Sequence, residues 1–192
     1  PAASSRAGTA GWPSSAGTAA ASRYQRSEVP DEGSPSTSLK SQLAVSGSLE
    51  EGKSAGLPMM ATMSLRPTTT ATTDGVPLAE CARALAGEGA ILVGFNCEQE
   101  PARMLTALRE MRKGLPPTAR LAAQPAAFRT TDEKPYFTGL PEFPDAMECL
   151  AVPRGAFADF GRAAKAEGLA YLGGCCGCNA AYLRALARGL KG

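Results

Sequence analysis

The sequence predicts an α/β fold with a parallel sheet for residues 57–192, either an open doubly wound sheet or part of a (β/α) barrel. Two observations lead to this prediction. Short apolar runs alternate with amphipathic stretches in the order β-α-β-α-β-loop-α-β-α. Glycines and prolines stand between these segments, where helices and strands are expected to end.

Residues 1–56 differ in composition from the rest of the chain. They are rich in Ala, Ser, Gly, Thr and Pro, and the first 27 residues carry three arginines as their only charges. Such a segment buries too little apolar surface to offset its ordering entropy, so we predict a disordered tail. The Ser- and Arg-rich, acid-poor composition is also typical of an organellar transit peptide, and the chain begins with Pro1 rather than Met.

The ordered part is predicted to begin with a strand, helix, strand unit. Leu57–Met63 is predicted to be a short buried strand, and the apolar run that ends at Cys97 is the second strand. Between them lies a helix that ends near Gly87. Its predicted apolar face consists of Leu78, Cys81, Ala82 and Leu85.

A second helix and a third strand follow. Pro101 is predicted to start the helix, and the Pro116–Pro117 pair to end it. Its apolar stripe consists of Met104, Leu105, Leu108, Met111 and Leu115. The strand Arg120–Pro125 leads into a loop that extends to about Pro153. Because this loop is longer than a passive connection usually is, we expect it to cover a site.

The chain ends with a helix, a strand and a helix. Phe157, Phe160 and Ala164 mark the apolar face of the first helix, and the strand runs from Leu169 to Cys175. Asn179 is placed to cap the last helix. The predicted apolar face of that helix consists of Leu183, Leu186, Ala187 and Leu190.

Composition excludes several classes of function. The formal net charge of +2 gives no reason to expect a nucleic acid or a membrane surface as partner, and no apolar run approaches the roughly 20 residues of a membrane span. The 192 residues include no histidine, which excludes histidine bases and histidine metal ligands. Phosphate-binding G-x-G-x-x-G and P-loop motifs are missing. The six cysteines are bunched, which fits a reducing compartment and predicts a cytoplasmic protein.

Thiols stand at the ends of two predicted strands. Cys97 ends one apolar run, and Cys175 and Cys176 end another inside a glycine-rich stretch. Because the carboxyl ends of parallel strands meet at one edge, three thiols there suggest one metal site. Two other interpretations remain open. The cysteines could be small buried hydrophobic residues, or the vicinal pair could be a redox centre with Cys178 as the resolving thiol.

Four segments carry a resemblance to a known family. In this order and at these intervals, they are similar to the second half of the homocysteine S-methyltransferase family: Met60–Met63, Gly94–Cys97, Leu140–Pro144 and Gly173–Gly177. The resemblance implies a zinc ion held by Cys97, Cys175 and Cys176 in a (β/α)8 barrel, of which this chain supplies strands five to eight. It also implies transfer of a methyl group from betaine or a similar donor to homocysteine, which gives methionine.

Two polar residues near these thiols are candidates for binding substrate. Asn96 precedes Cys97, and we consider that it bonds either the backbone of homocysteine or its own loop. Gln124 ends a strand at the same edge and is assigned to support of the site. Three thiolates with an open fourth position describe a catalytic zinc, whereas a structural zinc usually has four protein ligands.

The sequence also departs from the family. It contains four predicted strands where a full barrel has eight, and residues 1–56 do not resemble the first half, which contains a glycine-rich homocysteine-binding segment. Two alternatives follow. The chain is either a methyltransferase that requires an N-terminal barrel half as partner, or a catalytically inactive zinc-binding fragment or degenerate paralogue.

Overall fold

The computed structural model describes residues 46–66 and 70–192. After one additional helix at the start, helices and strands alternate in the predicted order. The helices are α1 (Ser46–Ser54), α2 (Leu78–Gly87), α3 (Pro101–Arg112), α4 (Arg154–Ala166) and α5 (Ala180–Lys191). The strands are β1 (Met60–Met63), β2 (Leu92–Asn96), β3 (Arg120–Gln124) and β4 (Tyr171–Leu172), and two 3₁₀ helices, Phe137–Gly139 and Met147–Leu150, lie between β3 and α4.

The strands form one parallel sheet in the order β1-β2-β3-β4. Each strand lies beside the next one in sequence, and the order does not reverse. The register pairs Ala61 with Val93, and it places Asn96 beside Gln124 at the carboxyl edge. The predicted α/β class with a parallel sheet is therefore confirmed.

The helices cover one face of this sheet. Alternate strand residues belong to the core on that face and are at most 1% exposed: Met63, Val93, Phe95, Leu121 and Ala123. Helix α2 packs on α3, α3 on α4, and α4 on α5. On the other face, Met60 and Tyr171 are 39% and 40% exposed, and Asn96 and Gln124 are half-buried. The described sheet thus has a covered face and an open face.

Helices α4 and α5 approach each other closely. A Cβ at Gly189 would lie 2.1 Å from the carbonyl oxygen of Ala158, so only glycine fits there without movement of the backbone. Tyr182 lies in the same interface and donates a buried hydrogen bond of 2.7 Å to the carbonyl of Val152. Asn179 accepts a hydrogen bond from the N–H of Ala181, which confirms the predicted cap of the last helix.

The long loop between β3 and α4 is folded. Its 3₁₀ helices help to build a second small core that consists of Ala126, Phe137, Leu140 and Leu150. Cys97 and Phe128 pack against this core, and the ring centroids of Phe128 and Phe137 are 5.1 Å apart. The loop therefore packs on the segment that contains Cys97.

Helix α1 lies within residues 1–56, for which the sequence predicts a disordered tail. The helix is stabilised by tertiary contacts that its composition does not reveal. Leu49 is buried, and Gly52 packs so closely on Met59 that a Cβ at Gly52 would lie 2.0 Å from the Met59 sulfur. The prediction is therefore wrong for Ser46–Ser54, and residues 1–45 lie outside the described residues.

Two strands differ from their predicted extent. The first begins at Met60, and Leu57 is 54% exposed, so a buried strand over Leu57–Met63 is wrong. Strand β4 spans only Tyr171–Leu172, which is shorter than the predicted Leu169–Cys175. The residues that follow stay beside β3, since the N–H groups of Gly173 and Cys175 donate to the carbonyls of Ala123 and Pro125.

The predicted apolar face of the last helix is wrong in part: Leu186 is buried and Leu190 half-buried, but Leu183 and Ala187 are exposed. The buried residues of α5 are Tyr182, Ala185, Leu186 and Gly189, while Leu183 is 46% exposed. The close approach of Gly189 to Ala158 puts the face with Tyr182, Ala185 and Leu186 against α4. The predicted faces of α2 and α4 are buried as expected. Within the ranges described, no helix combines the length and apolar character that a membrane crossing requires.

Candidate metal centre

The three cysteines at the strand ends come together at the carboxyl edge of the sheet. The Sγ atoms of Cys97, Cys175 and Cys176 all lie within 4.8 Å of one another. The Cys97 and Cys176 sulfurs are 3.2 Å apart, and those of Cys175 and Cys176 are 4.0 Å apart. Cys176 is exposed, and the other two are half-buried. The cluster therefore has access to solvent on one side.

Strand β3 and the residues just after it anchor both cysteine segments. The N–H of Cys97 donates to the carbonyl of Gln124, and the N–H of Cys175 donates to the carbonyl of Pro125, both at 2.9 Å. The carbonyl of Cys176 accepts from the N–H of Ala127 at 2.8 Å. These bonds hold the thiols through the backbone, so the cluster does not depend on side-chain contacts alone.

A turn brings the two adjacent cysteines to the same side. In a regular strand Cys175 and Cys176 would point to opposite faces. Here the strand has ended, and the N–H of Cys178 bonds the carbonyl of Cys175 at 3.0 Å to form a turn. Gly177 has φ of 76°, and a Cβ there would lie 2.6 Å from the ring of Phe128. The glycine is therefore required both for the backbone conformation and for the space.

The backbone also turns sharply at the other cysteine. Cys97 and Glu98 have φ of 59° and 57°, a region that residues other than glycine seldom adopt. Glu98 is 5% exposed and accepts hydrogen bonds from Arg66 and Thr138. The sequence does not reveal these contacts, because Arg66 and Thr138 lie 32 and 40 positions away from Glu98. The signal that the sequence does offer is an acidic residue, Glu98, directly after the candidate ligand Cys97.

The hydrogen bonds among the three thiols shift their pKa values in opposite directions. Hydrogen bonds from Cys176, and then from Cys97, lower the pKa of Cys175 to about 3. The hydrogen bond with Cys175 raises the pKa of both Cys97 and Cys176. The cluster therefore gives up its first proton easily and holds the others. A divalent cation favours loss of all three protons, because each thiolate then gains a positive partner.

The donor set fits zinc. Sulfurs bound at about 2.3 Å around a tetrahedral zinc lie about 3.8 Å from one another. The separations of 3.2 Å and 4.0 Å between the sulfurs are close to that value. Sulfur donors favour zinc over the hard cations Mg²⁺ and Ca²⁺. Three donors from the protein leave the fourth position to an exogenous ligand.

The remaining candidates occupy different places. The register pairs Asn96, which directly precedes Cys97, with Gln124 on the open face. The Sγ of Cys178 points to the carbonyl of Pro125 at 3.6 Å, and burial raises the pKa of this thiol to about 11. Cys178 is thus held as a thiol outside the three-sulfur group. Cys81 is a core residue, as its position on a helix face predicts.

Comparison with known proteins gives one consistent result. A model of the homocysteine S-methyltransferase family matches residues 37–190. Betaine–homocysteine S-methyltransferase 1 of Mus musculus is 38% identical over 146 residues, which is 74% of this chain and 35% of that protein. The Xenopus laevis protein of the same name is 39% identical over 142 residues, 72% of this chain and 35% of that protein. This chain spans about a third of the length of these curated relatives.

Two further proteins are similar over shorter or more divergent regions. The S-methylmethionine–homocysteine S-methyltransferase BHMT2 of Pongo abelii is 38% identical over 58% of this chain and 32% of its own length. Among solved structures, the oxidised form of the homocysteine methyltransferase MmuM from Escherichia coli superposes with a TM-score of 0.53 at 19% identity. That superposition covers 79% of this chain and 42% of MmuM, and it supports the fold alone.

Proposed function

Because the chain belongs to the homocysteine S-methyltransferase family, we propose that its cysteine cluster is the zinc and substrate-sulfur site of a methyltransferase. One observation carries this proposal. The sulfurs of Cys97, Cys175 and Cys176 lie within 4.8 Å of one another at the carboxyl edge of a parallel sheet, where enzymes with this kind of sheet hold their reacting groups.

We also propose that the described sheet is an arc of a (β/α)8 barrel. The order β1-β2-β3-β4 has no reversal, whereas a doubly wound sheet reverses its strand order. Successive helices pack on one another along a single face of the sheet, as the outer helices of a barrel do. In such a barrel the open face, with Asn96 and Gln124, lines the interior.

In this proposal, Cys97, Cys175 and Cys176 hold zinc and the substrate is homocysteine. Zinc, when bound, supplies a Lewis acid that lowers the pKa of an additional thiol, so that this thiol is ionised at neutral pH. The protein orients the three donors through backbone hydrogen bonds with β3 and the residues just after it. Asn96 and Gln124 are proposed to contact the amino acid end of homocysteine, since they share the open face at that edge.

The chemistry is a direct displacement. The homocysteine sulfur gives an electron pair to the methyl carbon of the donor, and the new sulfur–carbon bond yields methionine. The bond from that carbon to the donor's nitrogen or sulfur breaks, and its electron pair leaves with the donor. Betaine and S-methylmethionine are the proposed donors, because they are named for the relatives with 38% identity.

The test begins with zinc on the freshly purified, reduced chain. We expect about one zinc per chain, strongly reduced zinc in Cys97→Ser and in Cys175→Ser, and a new sulfur ligand when homocysteine is added. Methionine formation with betaine or S-methylmethionine is then measured by mass spectrometry. A chain that retains no zinc, or that binds zinc but not homocysteine, contradicts the proposal. Zinc and homocysteine binding without methionine would instead identify a catalytically inactive member of the family.

A further inference from the structure

Glu98 is a buried carboxylate next to a candidate metal ligand. Its side chain is 7% exposed, although the residue follows Cys97 at the solvent-accessible edge of the sheet. Burial of a carboxylate is unfavourable unless the charge is paired and its oxygens accept hydrogen bonds. The groups that pair with the Glu98 carboxylate therefore show which segments of the chain this residue links.

Both carboxylate oxygens have partners from distant parts of the chain. The Nε and Nη2 atoms of Arg66 donate to Oε1 at 3.1 Å and 2.9 Å. The hydroxyl of Thr138 donates to Oε2 at 2.7 Å. The backbone carbonyl of Glu98 also accepts from the N–H of Phe137 at 2.9 Å. Glu98 thus joins the segment after β1 to the first 3₁₀ helix.

The same contacts act on the backbone that carries Cys97. The φ angles of Cys97 and Glu98 are 59° and 57°, and two successive residues in this region persist only where the surroundings hold them. The N–H of Cys97 is held from one side by the carbonyl of Gln124. On the other side, the backbone is held at Glu98, whose carbonyl accepts from Phe137 and whose carboxylate is bonded by Arg66 and Thr138. This conformation brings the Cys97 sulfur to 3.2 Å from that of Cys176.

We infer that Glu98 is a positioning residue for Cys97, which it fixes as a sulfur donor through its contacts with Arg66 and Thr138. The inference rests on the proposed function where it concerns metal binding, but the arrangement of the thiols is independent of any metal. Glu98 itself is not in the three-sulfur group and is not proposed as a ligand.

The first experiment is cobalt binding by Glu98→Gln. Glutamine has nearly the same shape but lacks the charge that pairs with Arg66. We expect the affinity for Co²⁺ to fall by about 10–100-fold, the usual range when a residue that orients a ligand is lost. We also expect the thiolate-to-cobalt absorbance at saturation to fall by about a third, since one of three thiolates no longer binds.

A matched control is available at the end of α4. Arg109 donates through Nε and Nη2 to one oxygen of Glu167, at 2.9 Å and 2.7 Å, which reproduces the geometry of the Arg66–Glu98 pair. Glu167 follows α4, outside the cysteine segments. We expect Glu167→Gln to bind Co²⁺ as the wild type does. An equal loss in both variants would overturn the inference.

A second readout uses the metal-free protein. In a glutathione buffer, Cys97 and Cys176 give up two electrons and two protons to oxidised glutathione, which becomes two reduced glutathione molecules, and form a disulfide. Mass spectrometry measures the fraction of chains that carry this disulfide in the glutathione buffer, and this fraction gives the effective concentration of the two thiols. We expect this value to fall at least about tenfold in Glu98→Gln, because the sulfurs are no longer held together.

The two readouts separate the inference from the proposed function. A wild-type chain that binds no metal contradicts the proposed function, while a lower effective concentration in Glu98→Gln still supports the positioning role. An unchanged cobalt affinity together with an unchanged effective concentration overturns the role. If Glu98→Gln does not fold, Thr138→Val is used with Thr138→Ser as the conservative variant. We then expect a loss in both readouts for valine and wild-type values for serine, and wild-type values for both would overturn the inference.

Discussion

Gly177 offers a test of how the turn after β4 fixes the cysteine cluster. Its φ of 76° lies in the left-handed region, and a Cβ there would approach the Phe128 ring to 2.6 Å. Gly168 provides a matched control, since its φ is 66° but no atom lies within 4 Å of the position of a Cβ. An alanine at either position has the same backbone cost. Only the alanine at Gly177 also displaces an aromatic ring.

The expected magnitudes follow from this difference. The left-handed conformation costs alanine roughly 1–2 kcal/mol, so Gly168→Ala should lower the free energy of unfolding by that amount. The contact with Phe128 adds about 1–3 kcal/mol, the usual cost of overpacking. The lower part of that range applies because Phe128 is half-buried and its ring can shift. Gly177→Ala should therefore lose about 2–4 kcal/mol in total.

Urea unfolding followed by circular dichroism measures these values, and chelator competition measures the zinc affinity of the same variants. We expect a zinc affinity at least about tenfold lower in Gly177→Ala, because the turn that carries Cys176 shifts, and no change in Gly168→Ala. The double variant Gly177→Ala/Phe128→Leu should recover at least about 1 kcal/mol relative to the sum of the two single changes. The reasoning is refuted if Gly177→Ala and Gly168→Ala are equally stable and bind zinc equally well.

Three further predictions concern the cysteines and the α4–α5 interface. Zinc at a hundredfold excess over its Kd should raise the free energy of unfolding by about 2.7 kcal/mol in the wild type and in Cys178→Ser, but not in Cys176→Ser. Tyr182→Phe should lose about 1–2 kcal/mol in denaturant unfolding, because the buried carbonyl of Val152 loses its donor. Burial, the largest cause, and then the Asp74 charge raise the pKa of Cys81 from 9.0 to about 12. The unfolded chain therefore loses this proton first above pH 9, and the stability of the wild type relative to Cys81→Ala should fall by about 1.2 kcal/mol per pH unit between pH 10 and 11.

Each of these predictions has a contradicting outcome. A zinc-dependent stabilisation that survives in Cys176→Ser would exclude that cysteine as a ligand, and its loss in Cys178→Ser would add a fourth donor. A Tyr182→Phe variant of wild-type stability would mean that the Val152 carbonyl finds another donor. A constant difference between wild type and Cys81→Ala across the alkaline range would mean that the Cys81 thiol ionises equally easily in the folded and unfolded chains.

The sequence was sufficient to predict that Cys97, Cys175 and Cys176 meet at one edge of the sheet, because parallel strands share a direction. Cys97 and Cys175 follow strands that are not adjacent, yet both strands end at the same edge, so thiols placed directly after them meet there. Local signals also worked where one residue decides the outcome. Pro101 begins α3, and Asn179 caps α5 through its side chain.

The predictions failed where distant residues decide the structure. The apolar pattern of α5 favours a face that includes Leu183, but close contact between Gly189 and Ala158 selects a different face. Helix α1 has a composition typical of a disordered segment, and Leu49 and Gly52 stabilise it only through contacts with the rest of the fold. A glycine or a small polar residue carries no periodic signal that would reveal such a partner.

In the proposed function, the division between the two faces of the sheet also separates the metal site from the surface that contacts substrate. All three proposed sulfur donors and the backbone bonds that hold their segments come from residues 97–178. The face that carries Asn96 and Gln124 also carries Met60 and Tyr171, which are 39% and 40% exposed. Hydrogen bonds to a substrate on that face compete with water and contribute little net free energy. An additional protein surface over this face would strengthen them by excluding water, whereas it would change the affinity of the three thiolates for zinc far less.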